Sequence, residues 1–360
     1  EFVKRRRVRH VGPMRIAFVE KDSHVPLQAA DVLAYEANKR LPDPTVDRDA
    51  WAQQGDAIRR TQVAGRLAWL PSPGSEFWVD GSNYRELDEQ RYDFYAPPNI
   101  VPQRKTEDIT RDRVTAGGRW TFANQWRAEV KGLEERYDTL SQGFSADTLT
   151  SDRQASQRTR HVTGQVDLPA WHNQLWQIGG DLHEERLRQT VNGVSELEGS
   201  GNASRTSREL FVQNDILFDD VWELVLGLRW QDDSDFGTHY APKAALKAKL
   251  LRGEQWTGTL RAAYGQGYRV ANLKERHFLF VHSALAYKVV GNPDLKPERS
   301  DSWQFGGTLA LRDRFTVDVN AFHNDVRDLI QTDLANASTV NGTTVYSYEN
   351  VARARTSGLE

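Results

Sequence analysis

The stretch Trp222–Leu250, WELVLGLRWQDDSDFGTHYAPKAALKAKL, decides the fold. Before the polar centre, Trp222, Leu224, Leu226, Leu228 and Trp230 share one parity; after it, Tyr240, Pro242, Ala244, Leu246, Ala248 and Leu250 do, while Lys243, Lys247 and Lys249 take the other. Successive side chains of a strand point to opposite faces, so this period of two predicts a hairpin with one apolar and one wet face. Its Trp and Tyr residues stand at the ends of the apolar rows, as they do at a membrane–water boundary.

The alternation extends outward from this hairpin. It recurs in Trp176, Ile178, Gly180 and Leu182 against Gln177, Asp181 and His183. It recurs again in Trp256, Gly258, Leu260, Ala262 and Tyr264 against Thr257, Thr259 and Arg261, and in Phe315, Val317, Val319 and Ala321 against Thr316, Asp318 and Asn320. Tight turns are predicted at Ala123-Asn124, Pro169 to Asn173, Asp219-Asp220, Leu251 to Gln255 and Asp313-Arg314. Between them lie polar stretches that read as long loops: Asp138 to Gln157, Arg188 to Ser204, Gln231 to Thr238, Gln266 to Asp301 and Asn324 to Val345. Strands joined alternately by short and long connections suit an outer-membrane barrel better than a soluble sandwich, whose long connections seldom all fall at one end. With Gln62 to Trp69 and Glu76 to Glu86 as a further hairpin and a last strand from near Tyr346, the reading gives about 13 strands. The fold class is all-β, an antiparallel transmembrane β-barrel over residues 61–360. Trp222, Leu224, Leu226, Leu228, Leu246, Leu260 and Val317 should face lipid, and Lys243, Lys247, Arg261 and Asp318 the lumen.

Composition narrows the function. With 47 Lys and Arg against 50 Asp and Glu the net charge is -3, which leaves no cationic excess for nucleic acid. No cysteine is present, so disulfides, thiolate metal sites and cysteine nucleophiles are excluded. A mean hydropathy of -0.67 and the lack of any run of about 18 apolar residues exclude a transmembrane helix but suit a barrel, in which only alternate residues meet lipid. A closed barrel leaves no edge unpaired in lipid, so further strands are expected at both ends of the 13.

Residues 1–60 lack the pattern. RRRVRH (Arg5 to His10) is a basic run, and Leu27 to Leu41 reads as an amphipathic helix packing through Val32, Leu33 and Tyr35. This segment resembles the closing helix of RNase-H-like proteins, with Asp31 at the acidic position. One carboxylate cannot build a two-metal nuclease site, so no nuclease activity is implied. A separate origin, joined near residues 45 to 60, is expected.

Four segments in order resemble TonB-dependent outer-membrane receptors: Leu210 to Leu246; LRAAYGQGYRVANLKE (Leu260 to Glu275); GNPDLKPERSDSWQFG (Gly291 to Gly306) with DVNAFHNDVRDLI (Asp318 to Ile330); and YSYENVARARTSGLE (Tyr346 to Glu360). The resemblance implies part of a 22-stranded plugged barrel in the Gram-negative outer membrane, surrounded by outer-membrane lipid. It also implies energy delivered by TonB and its inner-membrane motor proteins through a plug, which is not recognisable here. The cargo would be a small iron complex or cobalamin, with no permanently bound cofactor and no metal site.

Substrate identity is sought between Tyr268 and Asn292. A ferric catecholate siderophore is anionic and calls for cations and aromatic walls, which Tyr268, Arg269, Lys274, Arg276, Tyr287 and Lys288 supply. Haem would instead use an imidazole on iron. His277 and His282 lie between YRVA (Tyr268 to Ala271) and NPDL (Asn292 to Leu295), which resemble, with departures, the FRAP-like and NPNL-like boxes of haem receptors. Ferric siderophore leads, with haem or cobalamin as alternatives. Asn292-Pro293 and Lys296-Pro297 read as a loop returning to a strand. QDDSDFG (Gln231 to Gly237) lacks the ligand order of a calcium loop and reads as solvated turn residues. A passive porin would not share these segments. A barrel enzyme would need a nucleophile and base, and neither G-x-S-x-G nor H-E-x-x-H occurs.

Overall fold

A computed structural model describes residues 14–17, 51–96, 99–197, 201–282, 287–312 and 314–360. The strands are β1 (Met14–Ala17), β2 (Trp51–Ser72), β3 (Ser75–Ala96), β4 (Asn99–Thr121), β5 (Arg127–Ser145), β6 (Thr148–Asp167), β7 (Gln174–Val191), β8 (Val194–Ser195) and β9 (Asn202–Phe218). They continue with β10 (Trp222–Asp233), β11 (Gly237–Arg252), β12 (Trp256–Arg269), β13 (Leu279–His282), β14 (Tyr287–Val290), β15 (Glu298–Leu311), β16 (Phe315–Val340) and β17 (Thr343–Leu359). A helix of five residues, α1 (Leu273–His277), lies between β12 and β13. The helix expected over Leu27 to Leu41 falls outside the described residues.

All strands belong to one barrel-like sheet. From β2 to β7, then β9 to β12 and β15 to β17, each long strand pairs antiparallel with the next. These are the 13 strands expected. The short strands are additions: β1 pairs with Arg66 to Trp69 of β2, β8 folds back on β7, and β13 and β14 form a small hairpin.

Register joins the apolar parities into one face. Across five strand pairs Leu224, Leu246, Ala262, Phe305, Ala321 and Leu359 stand opposite one another. In the other direction Trp230, Leu210, Gly180, Gly164, Val130, Gly118, Phe77 and Trp69 do the same. The reverse face carries Lys247 Nζ 3.0 Å from Glu223 and Arg261 Nη2 2.7 Å from Asp318. Every residue assigned to a face from sequence lies on that face. A one-residue slip anywhere would have inverted the pattern. Among the described residues 12 apolar side chains are buried, whereas 41 large apolar ones are exposed. Two packed sheets would show the opposite balance. An exposed face of this kind is the lipid face of a barrel, and the wet face lines the lumen. No described helix is long and apolar enough to cross a membrane.

The outward apolar band is short relative to the strands. On β16 it runs from Phe315 to His323, a rise of about eight residue steps, which at about 3.4 Å each and a tilt near 40° gives roughly 21 Å, close to the expected ~25 Å. Strands of 18 to 23 residues such as β4 and β7 therefore rise well past the membrane on the side away from the short turns.

Two expectations are corrected. Strand β2 begins at Trp51, ten residues before the pattern was legible. Of the five stretches read as long loops, two consist almost wholly of strand, β5 and β6 meeting at Ala146-Asp147 and β16 and β17 at Asn341-Gly342, and a third, Gln231 to Thr238, is a short turn across Ser234 to Phe236 between β10 and β11. Arg188 to Ser204 is partly strand, turning at Asn192-Gly193. Above the membrane both faces of a strand meet water, so the alternation that reveals strands disappears there.

Candidate functional site

The long connection between β12 and β15 lies at the mouth of the wall, away from the short turns. Asn272 caps α1: its side chain accepts from the Glu275 N–H (2.8 Å), and the Glu275 carboxylate accepts from the Asn272 N–H (2.7 Å). That reciprocal box starts a helix too short to persist alone. The chain then forms the β13–β14 hairpin and returns through Asn292 to Pro297.

Both flanks of this connection are fastened. On one side Phe278 bridges Leu197 in the segment after β8, the Leu279 N–H donates to the Glu196 carbonyl (2.7 Å), and Arg205 Nη1 donates to the Ala271 carbonyl (2.9 Å). Leu273 is buried there with Leu187, Leu197 and Ala203. On the other side β14 runs parallel to the start of β17, Tyr287 opposite Thr344. Asn292 Nδ2 donates to the Tyr348 carbonyl (2.9 Å), and Asn350 joins Lys296 through its N–H and carbonyl, each at 2.8 Å. Leu295 and Ala271 are buried with Ile330 and Tyr348. The connection is thus a strap between β8–β9 and β16–β17, and GNPDLKPE is the clasp at its second end.

The predicted site residues divide by what they touch. Arg269 reaches Glu298 (2.5 Å) and Glu275 (3.2 Å). The hydrogen bond to Glu298 lifts its guanidinium pKa further above the usual arginine range. Burial works against ionising Glu298, yet Arg269 and the Ile330 N–H (2.8 Å) hold its carboxyl below the ordinary value. Arg276 pairs with Asp235 and lies 5.0 Å over the Phe236 ring. Tyr268 stacks on His239 with ring centroids 3.7 Å apart. Lys274 stands 5.9 Å over the Phe278 ring, and Tyr287 meets Tyr346 edge to face at 6.1 Å. Lys288 follows in β14, partly exposed, and His277 ends α1; the side chain of His282 lies outside the described residues. Tyr287 and Lys288 therefore sit toward β17, while Tyr268, Arg276 and His277 sit toward β9–β11.

QDDSDFG is not a solvated turn. Asp233 is buried, 3.7 Å from Arg205, and burial pushes its carboxyl pKa up; Asp235 holds Arg276. Arg205, Asp233, Asp235, Glu298 and Asn350 thus fasten the strap, and sequence reading assigned none of them a role. Among the described residues no group of three or more His, Cys, Asp or Glu is placed to hold a metal ion.

The family model for the TonB dependent receptor-like β-barrel matches residues 48–360. The chain is 25% identical over 347 residues to the ferric enterobactin receptor PirA of Pseudomonas aeruginosa, covering 85% of this chain and 46% of PirA. It is 29% identical over 138 residues to the heme/hemopexin utilization protein C of Haemophilus influenzae, covering 34% of this chain and 19% of that protein. The crystal structure of the siderophore receptor PirA from Pseudomonas aeruginosa superposes with a TM-score of 0.61 at 19% identity, over 86% of this chain and 60% of that one. The chain thus spans less than half the length of the curated relatives it matches. With its single sheet, segregated faces and matched residues, the chain belongs to the TonB-dependent receptor β-barrel family of the Gram-negative outer membrane.

Proposed function

We propose that this chain forms barrel wall of a receptor for ferric siderophore uptake, powered by TonB and its inner-membrane motor proteins. It acts as a transporter of a small iron complex and not as an enzyme. The observation that carries this reading is the similarity, over 85% of the chain, to a ferric enterobactin receptor. The mouth supplies the matching chemistry: Lys274, Tyr287 and Lys288 stand on the strap. An anionic catecholate is held by such cations and rings without a protein ligand to iron. Arg269 and Arg276 contribute by setting the strap's shape, because carboxylates already engage both.

Haem is the second reading, favoured by the similarity to the heme/hemopexin utilization protein and by His277 and His282. Two titrations of the intact receptor decide. Ferric enterobactin should quench its tryptophan fluorescence saturably, and His277→Ala with His282→Ala should leave that curve unchanged. A haemin Soret band that shifts on binding and is lost in either histidine variant would replace siderophore by haem.

A further inference from the structure

Arg205 of β9 reaches three groups at once where the strap leaves the wall. Its Nη1 donates to the Ala271 carbonyl at the root of the strap (2.9 Å), and its Nη2 donates to the Glu185 carboxylate of β7 (3.1 Å). Its Nε stands 3.7 Å from Oδ2 of Asp233, at the end of β10, which is too long for a hydrogen bond. The surroundings are closed to water: the Arg205 side chain is 10% exposed, that of Asp233 is fully covered, and Ala271 is fully buried.

The two carboxylates are unequally served. Asp233 Oδ1 accepts from the Asp235 N–H (2.9 Å), whereas Oδ2 is buried with no hydrogen-bond partner among the described residues. Leaving such an oxygen unmet costs free energy, and a guanidinium is the strongest donor to offer it. Glu185 has another neighbour, His183 Nε2, at 3.5 Å. A shift of Arg205 by about 1 Å would bring Nε to ordinary bonding distance of Asp233. A fork on that carboxylate engages Nε and a terminal nitrogen together, so it draws the guanidinium off Ala271 and Glu185.

We infer that Arg205 is a latch with two positions: on Ala271 and Glu185 it holds the first end of the strap down, and on Asp233 it lets that end rise. In the second position Asp233 Oδ2 gains its missing donor, Glu185 remains beside His183, and the freed Ala271 carbonyl turns to water at the mouth. One set of charged contacts replaces another, so the polar part of the hold changes little in free energy between the two positions. The apolar part is Leu273, buried with Leu187, Leu197 and Ala203, which lifts out once the guanidinium has moved. Arg205 is a positioning residue, acting on cargo only through the strap, and its role is the same for a siderophore or for haem. A contact of the cargo with the raised strap would then tip the balance, because a ligand shifts such an equilibrium by as much as it prefers one state.

The test is amide exchange at Leu279 in the intact receptor without cargo, because the bond from the Leu279 N–H to the Glu196 carbonyl (2.7 Å) breaks when the first end lifts. Glu185→Gln weakens the closed position and should speed that exchange about tenfold, while Asp233→Asn removes the open position and should slow it about tenfold, each through loss of a hydrogen bond between charged groups. The opposite signs distinguish a latch from a simple fastening, in which neutralising either carboxylate would loosen the strap. The mobility of unboiled samples on gels confirms that each variant is folded; should Asp233→Asn not fold, Asp233→Ser takes its place. Faster or unchanged exchange in the Asp233 variant, or slowed or unchanged exchange in Glu185→Gln, would each overturn the latch. No cargo enters the measurement, so its outcome is separate from that of the siderophore and haemin titrations.

Discussion

Gly291 sits where the strap turns back beneath α1, and a Cβ there would lie 2.5 Å from the Arg276 carbonyl carbon and 2.6 Å from the His277 nitrogen. Both neighbours are backbone and cannot swing away, so Gly291→Ala should cost the strap about 1–3 kcal/mol. The barrel wall should keep its unfolding transition while limited proteolysis opens sites between residues 270 and 297. Asn350 is the other residue on which the clasp turns, through Lys296 N and O and the Asp328 carbonyl. Each bond contributes about 0.5–1.5 kcal/mol, so Asn350→Ala should speed amide exchange at Lys296 by ten-fold or more, with β12 and β15 unaffected. Sequence reading found GNPDLKPE as a loop returning to a strand, and it is one. It missed Asp233 and Asp235 because Arg276, the partner of Asp235, lies 41 residues away. No local pattern distinguishes a carboxylate that waits for such a partner from one that faces water.

The strands were legible wherever one face meets lipid and the other meets the lumen, because only there does the chain alternate. Leu226 lies in the middle of the apolar row of β10, so Leu226→Arg should destabilise the folded barrel by about 2–4 kcal/mol in urea titrations from vesicles. Lys249→Gln, on the lumen parity of β11, should stay within about 0.5 kcal/mol. The upper halves of the strands were illegible by alternation, yet two of their turns carried another signal. Asn192-Gly193 has φ of 49° and 79°, and Asn341-Gly342 has 51° and 77°. Positive φ at both central residues is the tight hairpin turn that Asn-Gly favours. A reading that weighed those two pairs above the polarity around them would have shortened both supposed loops.

At the scale of the molecule, the strap joins two parts of the wall that are distant around the sheet, and its fixity is open to a direct test. Leu197 and Phe278 face each other in an antiparallel bridge, a spacing a disulfide can span, and the chain has no cysteine of its own. Leu197→Cys with Phe278→Cys should cross-link under oxidation, leave siderophore binding unchanged and stop uptake until a reductant is added; uptake that continues in the oxidised form would show that cargo passes without the strap moving. Each long strand of the wall pairs with the long strand before it, β12 with β15 across the strap, whereas the strap's second end waits for β17, as Val290 does for Ser347, 57 residues later. Successive hairpins can therefore be added one at a time as the chain arrives, since closing short loops comes early and closing long ones late. The strap can fasten its first end to β8–β9 as it is made, but its second end has nothing to hold until β17 is in place. During assembly the second end of the strap stays open, and it shuts only when the hairpin of β16 and β17 has been laid down, so protection of the amides of Asn292 and Lys296 marks the moment at which that hairpin has docked.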